Sequence, residues 1–589
     1  MFLADTFKRW HVLNGREALL CTGTDEHGTK VQQAASREGI PPEEMCNTNS
    51  NQFRILADRA DISHDFFVRT TEPDHAEAVQ AFWERIRENG YIYSGNHEGW
   101  YSVGDEAFYD ESEVQRTMEP RTGEVKMTAK VSGAEVEWVK ESNHQFRLTA
   151  FREQLLDFYR ENPGWIQPMW KMNEVVDWVR NHLTDLSISR PRSRVGWGIQ
   201  VPGDRNSTVY IWVDALVNYL TKAGYPHWDE EGDMQEGGWP ADVHVIGKDI
   251  VRFHCVYWPA LLMAAGLPLP GQILVHGHWK MGGKKMSKSL GNVVNPFIAL
   301  QRWDADALRH FMISQGCIKH DSDYSNQIIT VKYQKDLQNG IGGLLSRVVR
   351  TNRWSVREAV KVCAPDRPGL FISSKVLQRA KEMLAGVSAE PGPGDPTARK
   401  NKPGDPTKVN PAKVGEAILN QRSFLQRLPD QVHAKMDGLD PVEALRSIQN
   451  VIVEGNGFMT LAEPWNLAEI PDQSLLHETI YTLAETLRIS GILLQPFMPT
   501  KAAQLLDQLG VRYEARKAEH ARLGTDDQYG NPLEGAEVGG TSWDKLFPRL
   551  ALEDLTTEEA IKRAEEAKEM KIAKRKKKER YKVMHGIPL

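Results

Sequence analysis

The chain has 589 residues, 40% of them hydrophobic and 26% charged, with a formal net charge of −6, a length that holds three or four domains with their own cores. No run of 18 apolar residues occurs, which excludes a membrane-spanning helix. The five cysteines (Cys21, Cys46, Cys255, Cys317, Cys363) form no C-x-x-C pair, so they read as buried thiols of a reducing compartment, not as a disulfide framework or a cysteine zinc site.

Leu3, Phe7 and Trp10 recur at helical spacing and Asn14-Gly15 closes that first helix. Ala18-Leu19-Leu20-Cys21 suits a buried parallel strand, and Thr22-Gly23-Thr24-Asp25-Glu26-His27-Gly28 stands at its end, before a helix through Val31, Ala34 and Ala35. Polar groups gathered at the carboxyl end of a strand mark the ligand crevice of an open α/β sheet. Two more strand-to-helix units are expected later: Val209 to Val213 leading into Asp214 to Tyr219, and Val243 to Gly247 leading into Lys248-Asp249-Ile250 and His254. The sheet is thus split by an insertion at roughly 95–200, in which Trp100 to Val103 and Val136 to Val139 look like short strands.

A fourth strand, Ile273 to His276, delivers Gly282-Gly283-Lys284-Lys285-Met286-Ser287-Lys288-Ser289. Two glycines give a loop freedom to move, and clustered lysines grip the phosphates of ATP as charge builds on them. From about Ile328 the pattern is helical, with long helices expected at Pro441 to Phe458 and Leu475 to Leu494, forming a separate all-α bundle. Pro391 to Pro411 reads as a disordered insertion and Asp526 to Gly540 as a second loop. Lys571 to Lys582 holds eight basic residues and one acid, so an acidic body carries a basic tail suited to a polyanion.

The strings T-G-T-D-E-H-G, W-V-D-A-L, I-G-K-D-I-V-R-F-H, H-G-H-W and K-M-S-K-S, in this order, resemble the methionyl-tRNA synthetases, a family of class I aminoacyl-tRNA synthetases. The resemblance runs from Met1 to about Leu552 and implies an α/β fold: a Rossmann-like parallel sheet split by an α/β insertion, followed by an all-α anticodon-binding bundle. On that reading residues 1–95 and 201–270 are the halves of the catalytic domain and 96–200 the connective insertion. Residues 271–326 carry the K-M-S-K-S loop, 327–552 the anticodon domain with a disordered stretch at about 389–412, and 553–589 the basic tail.

The resemblance assigns Asp25 to the amino group of methionine, and Trp212, Ala215, Tyr219, Ile250 and His254 to its side chain. Gly247 and Asp249 fall at the ATP ribose, and Lys285 and Lys288 on the departing pyrophosphate as the catalytic lysines. Arg347 and Trp465 are implied to read the anticodon, although Gly343 stands where the family places asparagine. The implied reaction is ATP-dependent activation of methionine to its adenylate, with Mg²⁺ on the phosphates, and transfer to the 3′ end of tRNA(Met). No structural zinc is expected, because Gly99 to Leu155 has no cysteine. The expected partners are tRNA(Met), methionine and ATP, with no membrane; the expected state is a monomer, and the expected place the mitochondrial matrix, with the cytoplasm as alternative. The tetrapeptide H-I-G-H, the first signature of the class, is absent. Met1-Phe2-Leu3-Ala4-Asp5 matches a helix just after it, so the chain is expected to start downstream of that signature and to activate methionine poorly. The alternative is a catalytically dead tRNA-binding product.

Overall fold

The computed structural model describes residues 1–550 except 104–106, 119–122, 131, 230, 287–291, 317, 319, 365–375, 377, 379–381, 383–408 and 537–545. The chain divides into two compact units, one of residues 1–8, 18–279 and 317–322, the other of residues 9–17, 280–316 and those from 323 onward.

In the first unit, β1 (Cys21–Thr24) lies parallel to β2 (Phe66–Arg69), with Cys21 opposite Phe66 and Thr24 opposite Arg69. The helix α1 (Phe2–Leu13) precedes β1 in the chain, α2 (Thr29–Glu38) and α3 (Pro42–Arg59) run between the two strands, and α4 (Pro73–Glu88) follows. The strand starts later than its apolar run suggests. Leu19 is exposed, and the Leu20 amide is taken by the Asp65 carboxylate at 2.6 Å, so the ladder opens at Cys21. Cys21 is exposed too, against expectation, whereas Cys46, Cys255 and Cys363 are buried.

Next comes an antiparallel sheet. β3 (Ile92–Ser102) pairs with β4 (Ala107–Tyr109) and, over ten residues, with β7 (Glu137–Phe146); β5 (Val114–Met118) and β6 (Val125–Ala129) form a separate hairpin. The two strands expected here are therefore the ends of longer ones, the last residues of β3 and the first of β7. After α5 (Arg152–Glu161), β8 (Ile166–Gln167) pairs in parallel with a strand more than a hundred residues later, so the chain is already back in the parallel layer inside the span read as insertion.

Then follow α6 (Met169–His182), β9 (Leu186–Ser187), β10 (Ser189–Pro191), β11 (Gln200–Val201), β12 (Asp204–Val209) and α7 (Ile211–Thr221). The expected strand Val209 to Val213 does not form. The last ladder-side bond is Tyr210 N–H to the Ile188 carbonyl, and Asp214 N–H already reaches back to Tyr210. Val213, Leu216, Val217 and Leu220 are buried, and that spacing needs a helix to face one core. β13 (Val243–Gly247) and β14 (Gln272–His276) complete the second parallel sheet, in the order β13-β14-β8. Its core joins Phe82 and Trp83 of α4, Tyr159, Val179, Trp258 and Ile273, the largest of them fully buried. Truncating Phe82 to Ala would cost about 3–5 kcal/mol.

The second unit is helical. Ser474–Leu494, close to the predicted helix, is its centre, buried almost all round. Polar residues on it are paired inside: Glu478 accepts from Arg422 at 2.6 Å, and Glu485 holds Arg488 at 2.6 and 2.8 Å. Proline starts the neighbouring helices Pro411–Asp437 and Pro441–Ala462, where Asn410 and Asp440 accept the capping amides, because a first-turn N–H has no partner to lose. The stretch read as a loose loop from Asp526 is irregular but tied down: the fully buried Tyr529 hydroxyl donates to Glu485 at 2.7 Å. The proposed disordered stretch, up to residue 408, and the basic tail lie outside the described residues.

Candidate functional site

Asp25 follows the last residue of β1 and is exposed, while Glu26 and His27 beside it are buried. Glu26 is locked: it accepts from Arg69 at 2.9 and 3.0 Å and from Thr24 at 2.7 Å, its N–H donates to Thr70, and its carbonyl accepts the Trp197 indole at 2.7 Å. Those bonds hold its carboxyl below the ordinary carboxylate range, although burial pushes it the other way. Gly23 permits the turn to sit where it does, since a Cβ there would lie 2.0 Å from the Val68 carbonyl oxygen.

Trp212, Ala215 and Tyr219 lie three and seven residues apart on α7, on one face. The Trp212 ring stacks on Phe253 at 3.7 Å and 11°, with the His254 ring edge-on at 6.5 Å. The Tyr219 hydroxyl donates to Nε2 of His254 at 2.8 Å, and Nδ1 of His254 donates to the Ile250 carbonyl at 3.0 Å. A carbonyl can only accept, so a proton sits on Nδ1; Nε2 stays bare and the imidazole neutral because burial disfavours the charged ring. Burial pushes its pKa down to about 4, and that of His244, which packs on Tyr219 at 4.1 Å, down to about 3. His254 stands in a π-helical turn, Phe253–Tyr257, a distortion often found at functional sites. Trp212, Tyr219, Ile250 and His254 are thus brought together as an uncharged, largely aromatic wall.

Gly247 ends β13, and Asp249 sits in the single turn Lys248–Ile250. A Cβ on Gly247 would come within 2.8 Å of the Asp249 carboxylate, which pairs with His278 at 3.1 Å. Lys248 is held by Asp321 at 2.6 Å.

Residue-pattern reading missed the buried partners. The Asp214 carboxylate, fully buried in the apolar run I-W-V-D-A-L, accepts from Nδ1 of His27 at 2.7 Å and from Nε2 of His75 at 2.8 Å. Nδ1 of His75 lies 2.8 Å from the Thr221 hydroxyl. Burial alone would lower the His27 pKa; the bond and charge of Asp214, with Asp25 and Glu26 nearby, raise it instead. The lone aspartate on an apolar helix face was the available signal. Phe253, beneath Trp212, carried none.

In the second unit, Lys285 is exposed on a short hairpin in which Lys280 faces Lys285 and Met281 faces Lys284. Gly282 and Gly283, expected to loosen a loop, instead close this turn: both have positive φ, 59° and 73°, as a two-residue hairpin turn requires. Lys288 lies outside the described residues. Arg347 donates to the Asn456 side chain and, at 3.3 Å, to the Gly343 carbonyl. Burial lowers its pKa. Trp465 is half-buried in the turn Pro464–Leu467 that follows Pro441–Ala462, its carbonyl accepting from Arg353 at 3.3 Å. Among the described residues no group of three His, Cys, Asp or Glu side chains is placed to hold a metal ion.

Residues 1–349 match the family model described as tRNA synthetases class I (M). The chain is 47% identical over 556 residues to the probable mitochondrial methionine–tRNA ligase of Neurospora crassa, covering 94% of this chain and 82% of that one. It is 39% identical to the mitochondrial methionine–tRNA ligase of Bos taurus, covering 93% and 86%. A solved structure of Mycobacterium tuberculosis methionyl-tRNA synthetase bound by methionyl-adenylate superposes with a TM-score of 0.74 at 33% identity, covering 93% of this chain and 95% of that one.

Proposed function

We infer that this chain, which belongs to the methionyl-tRNA synthetases of class I, binds methionine with Asp25 on its ammonium and Trp212, Ala215, Tyr219, Ile250 and His254 around its thioether. The function is that of a methionine–tRNA ligase. In the first step a methionine carboxylate oxygen attacks the α-phosphorus of ATP in line, and the bond to the β-phosphate breaks to release pyrophosphate. In the second, a ribose hydroxyl at the 3′ end of tRNA takes the methionyl group and AMP leaves.

The observation that carries the assignment is the Tyr219–His254–Ile250 chain of hydrogen bonds beside the stacked Trp212. With the buried imidazole neutral, this wall presents no charge to the thioether end. An uncharged, polarizable wall favours a thioether, with sulfur–aromatic contacts of ~0.3–1.5 kcal/mol. Gly247 and Asp249, at the carboxyl end of a parallel strand, are assigned to the ATP ribose, and Lys285 and Lys288 to the pyrophosphate. Mg²⁺ enters on the nucleotide's phosphates, as that ion commonly does.

Arg347 and Trp465 are assigned to the anticodon, an indole face supporting an unpaired base at ~1–3 kcal/mol. The relatives named as mitochondrial support a place in mitochondrial translation, and we take the working form to be a monomer without structural zinc.

The test is methionine-dependent exchange of pyrophosphate into ATP. Because H-I-G-H does not occur in the sequence, the assay is run on the chain and on a version carrying that signature ahead of Met1. In the active form, Trp212→Ala is expected to raise the KM for methionine about tenfold or more, within the range that pocket contacts command, with little change in that for ATP. Equal effects on both substrates would remove the pocket assignment.

A further inference from the structure

Methionine offers its two recognition points, ammonium and sulfur, on one short chain whose length caps their separation. Under the reading above, on which this inference rests, the ammonium residue and the thioether residues stand on different elements. Asp25 is on the turn after β1, and Trp212, Ala215 and Tyr219 are on α7. A side-chain link between those elements runs through Asp214. Its Oδ2 holds His27, two residues beyond Asp25; its Oδ1 holds His75 of α4, whose other nitrogen meets Thr221 at the last turn of the same helix. One imidazole therefore grips α7 at Asp214 and Thr221, two turns apart, while the other ties α7 to the Asp25 turn.

A carboxylate buried in an apolar helix face is costly, and an apolar residue of similar volume commonly serves stability as well or better. The turn has another anchor, in Glu26 and its bonds to Arg69, Thr24 and Trp197, but that anchor does not reach α7. What Asp214 adds is a defined distance. The groups facing the His27–Asp214 pair are His75, with Asp25 and Glu26 acting on His27 by charge, and the Trp197 ring 5.5 Å away edge-on. Arg190, Tyr101 and Tyr210 share with His27 the lining of a small cavity beside it.

We propose that Asp214 is a positioning residue that sets the span between the ammonium end and the thioether end of the methionine site, and with it selectivity for the length of the amino-acid side chain. S-methylcysteine, whose sulfur is one methylene nearer the α-carbon, probes that span directly. Equilibrium binding of methionine, S-methylcysteine and ATP is measured on the whole chain and on Asp214→Asn, His27→Asn and His27→Ala. The unmodified chain is expected to favour methionine at least about tenfold, as one methylene commonly allows. Asp214→Asn should weaken methionine about tenfold and bring the two amino acids within about threefold, a loss of that same methylene discrimination, with ATP affinity held. His27→Asn, whose amide nitrogen can stand where Nδ1 stood, should keep most of the preference, and His27→Ala should lose it. An unchanged methionine-to-S-methylcysteine ratio in Asp214→Asn and His27→Ala would overturn the proposal. So would parallel loss of methionine and ATP, which marks general destabilisation. Failure of the unmodified chain to bind methionine would overturn the site reading and the strut together.

Discussion

At the scale of single residues, His254 joins stability to recognition. Its folded pKa lies near 4, below the unfolded value of about 6.5, so the unfolded chain takes up the proton first as pH falls. The stability this group contributes is therefore present above about 6.5 and lost on the way down to about 4. At ~1.4 kcal/mol per unit the loss is about 3 kcal/mol, and His244, pushed down to about 3, adds in the same direction. Urea midpoints measured from pH 7.5 to 4.5 should fall, and more shallowly in His254→Gln; an identical slope in that variant would contradict the neutral, buried imidazole. Trp212, Tyr219 and His254 stand in motifs that the sequence displays, and the structure brings them against one another. Their partners were not legible: a stack of Trp212 on Phe253, or a carboxylate shared by His27 and His75, depends on which elements meet in space.

Among elements, errors fell where local preference and tertiary packing disagree. Ile211, Trp212 and Val213 favour a strand by type, yet the buried spacing of Val213, Leu216, Val217 and Leu220 makes a helix. The two glycines before the lysines close a hairpin because both take positive φ. The helix Ser474–Leu494 was legible to within a residue, and Pro441–Ala462 was legible at its proline start but runs four residues beyond the expected end at Phe458. Two glycines give opposite predictions. Gly23→Ala sets a methyl against backbone in the β1–β2 ladder, and should cost at least ~1–3 kcal/mol, weakening methionine binding by moving the Asp25 turn. Gly457→Ala, in the helix Pro441–Ala462 with open space around it, should stabilise by ~0.5–1 kcal/mol. Denaturant midpoints check both, and a stabilising Gly23→Ala would contradict the register of β1 on β2.

For the whole molecule, the motifs divide between two compact units: T-G-T-D-E-H-G, W-V-D-A-L and I-G-K-D-I fall in one, and Lys285, Arg347 and Trp465 in the other. Trp465→Ala should lower affinity for tRNA(Met) by ~1–3 kcal/mol while methionine binding stays unchanged, as read by filter binding beside calorimetry; coupled losses would make Trp465 a folding residue. The insertion's edges were less legible, because β8 is two residues long and joins its sheet only through distant β14. The claim on which the rest depends is that the wall of Trp212, Tyr219 and His254 receives methionine. Its most direct measurement is titration of the whole chain with L-methionine and with L-isoleucine, read by tryptophan fluorescence and repeated on Trp212→Ala. The account predicts saturable binding of methionine, at least about tenfold weaker binding of isoleucine, and methionine binding about tenfold weaker or more in the variant. Equal binding of the two amino acids, or an unchanged methionine affinity in Trp212→Ala, would contradict it.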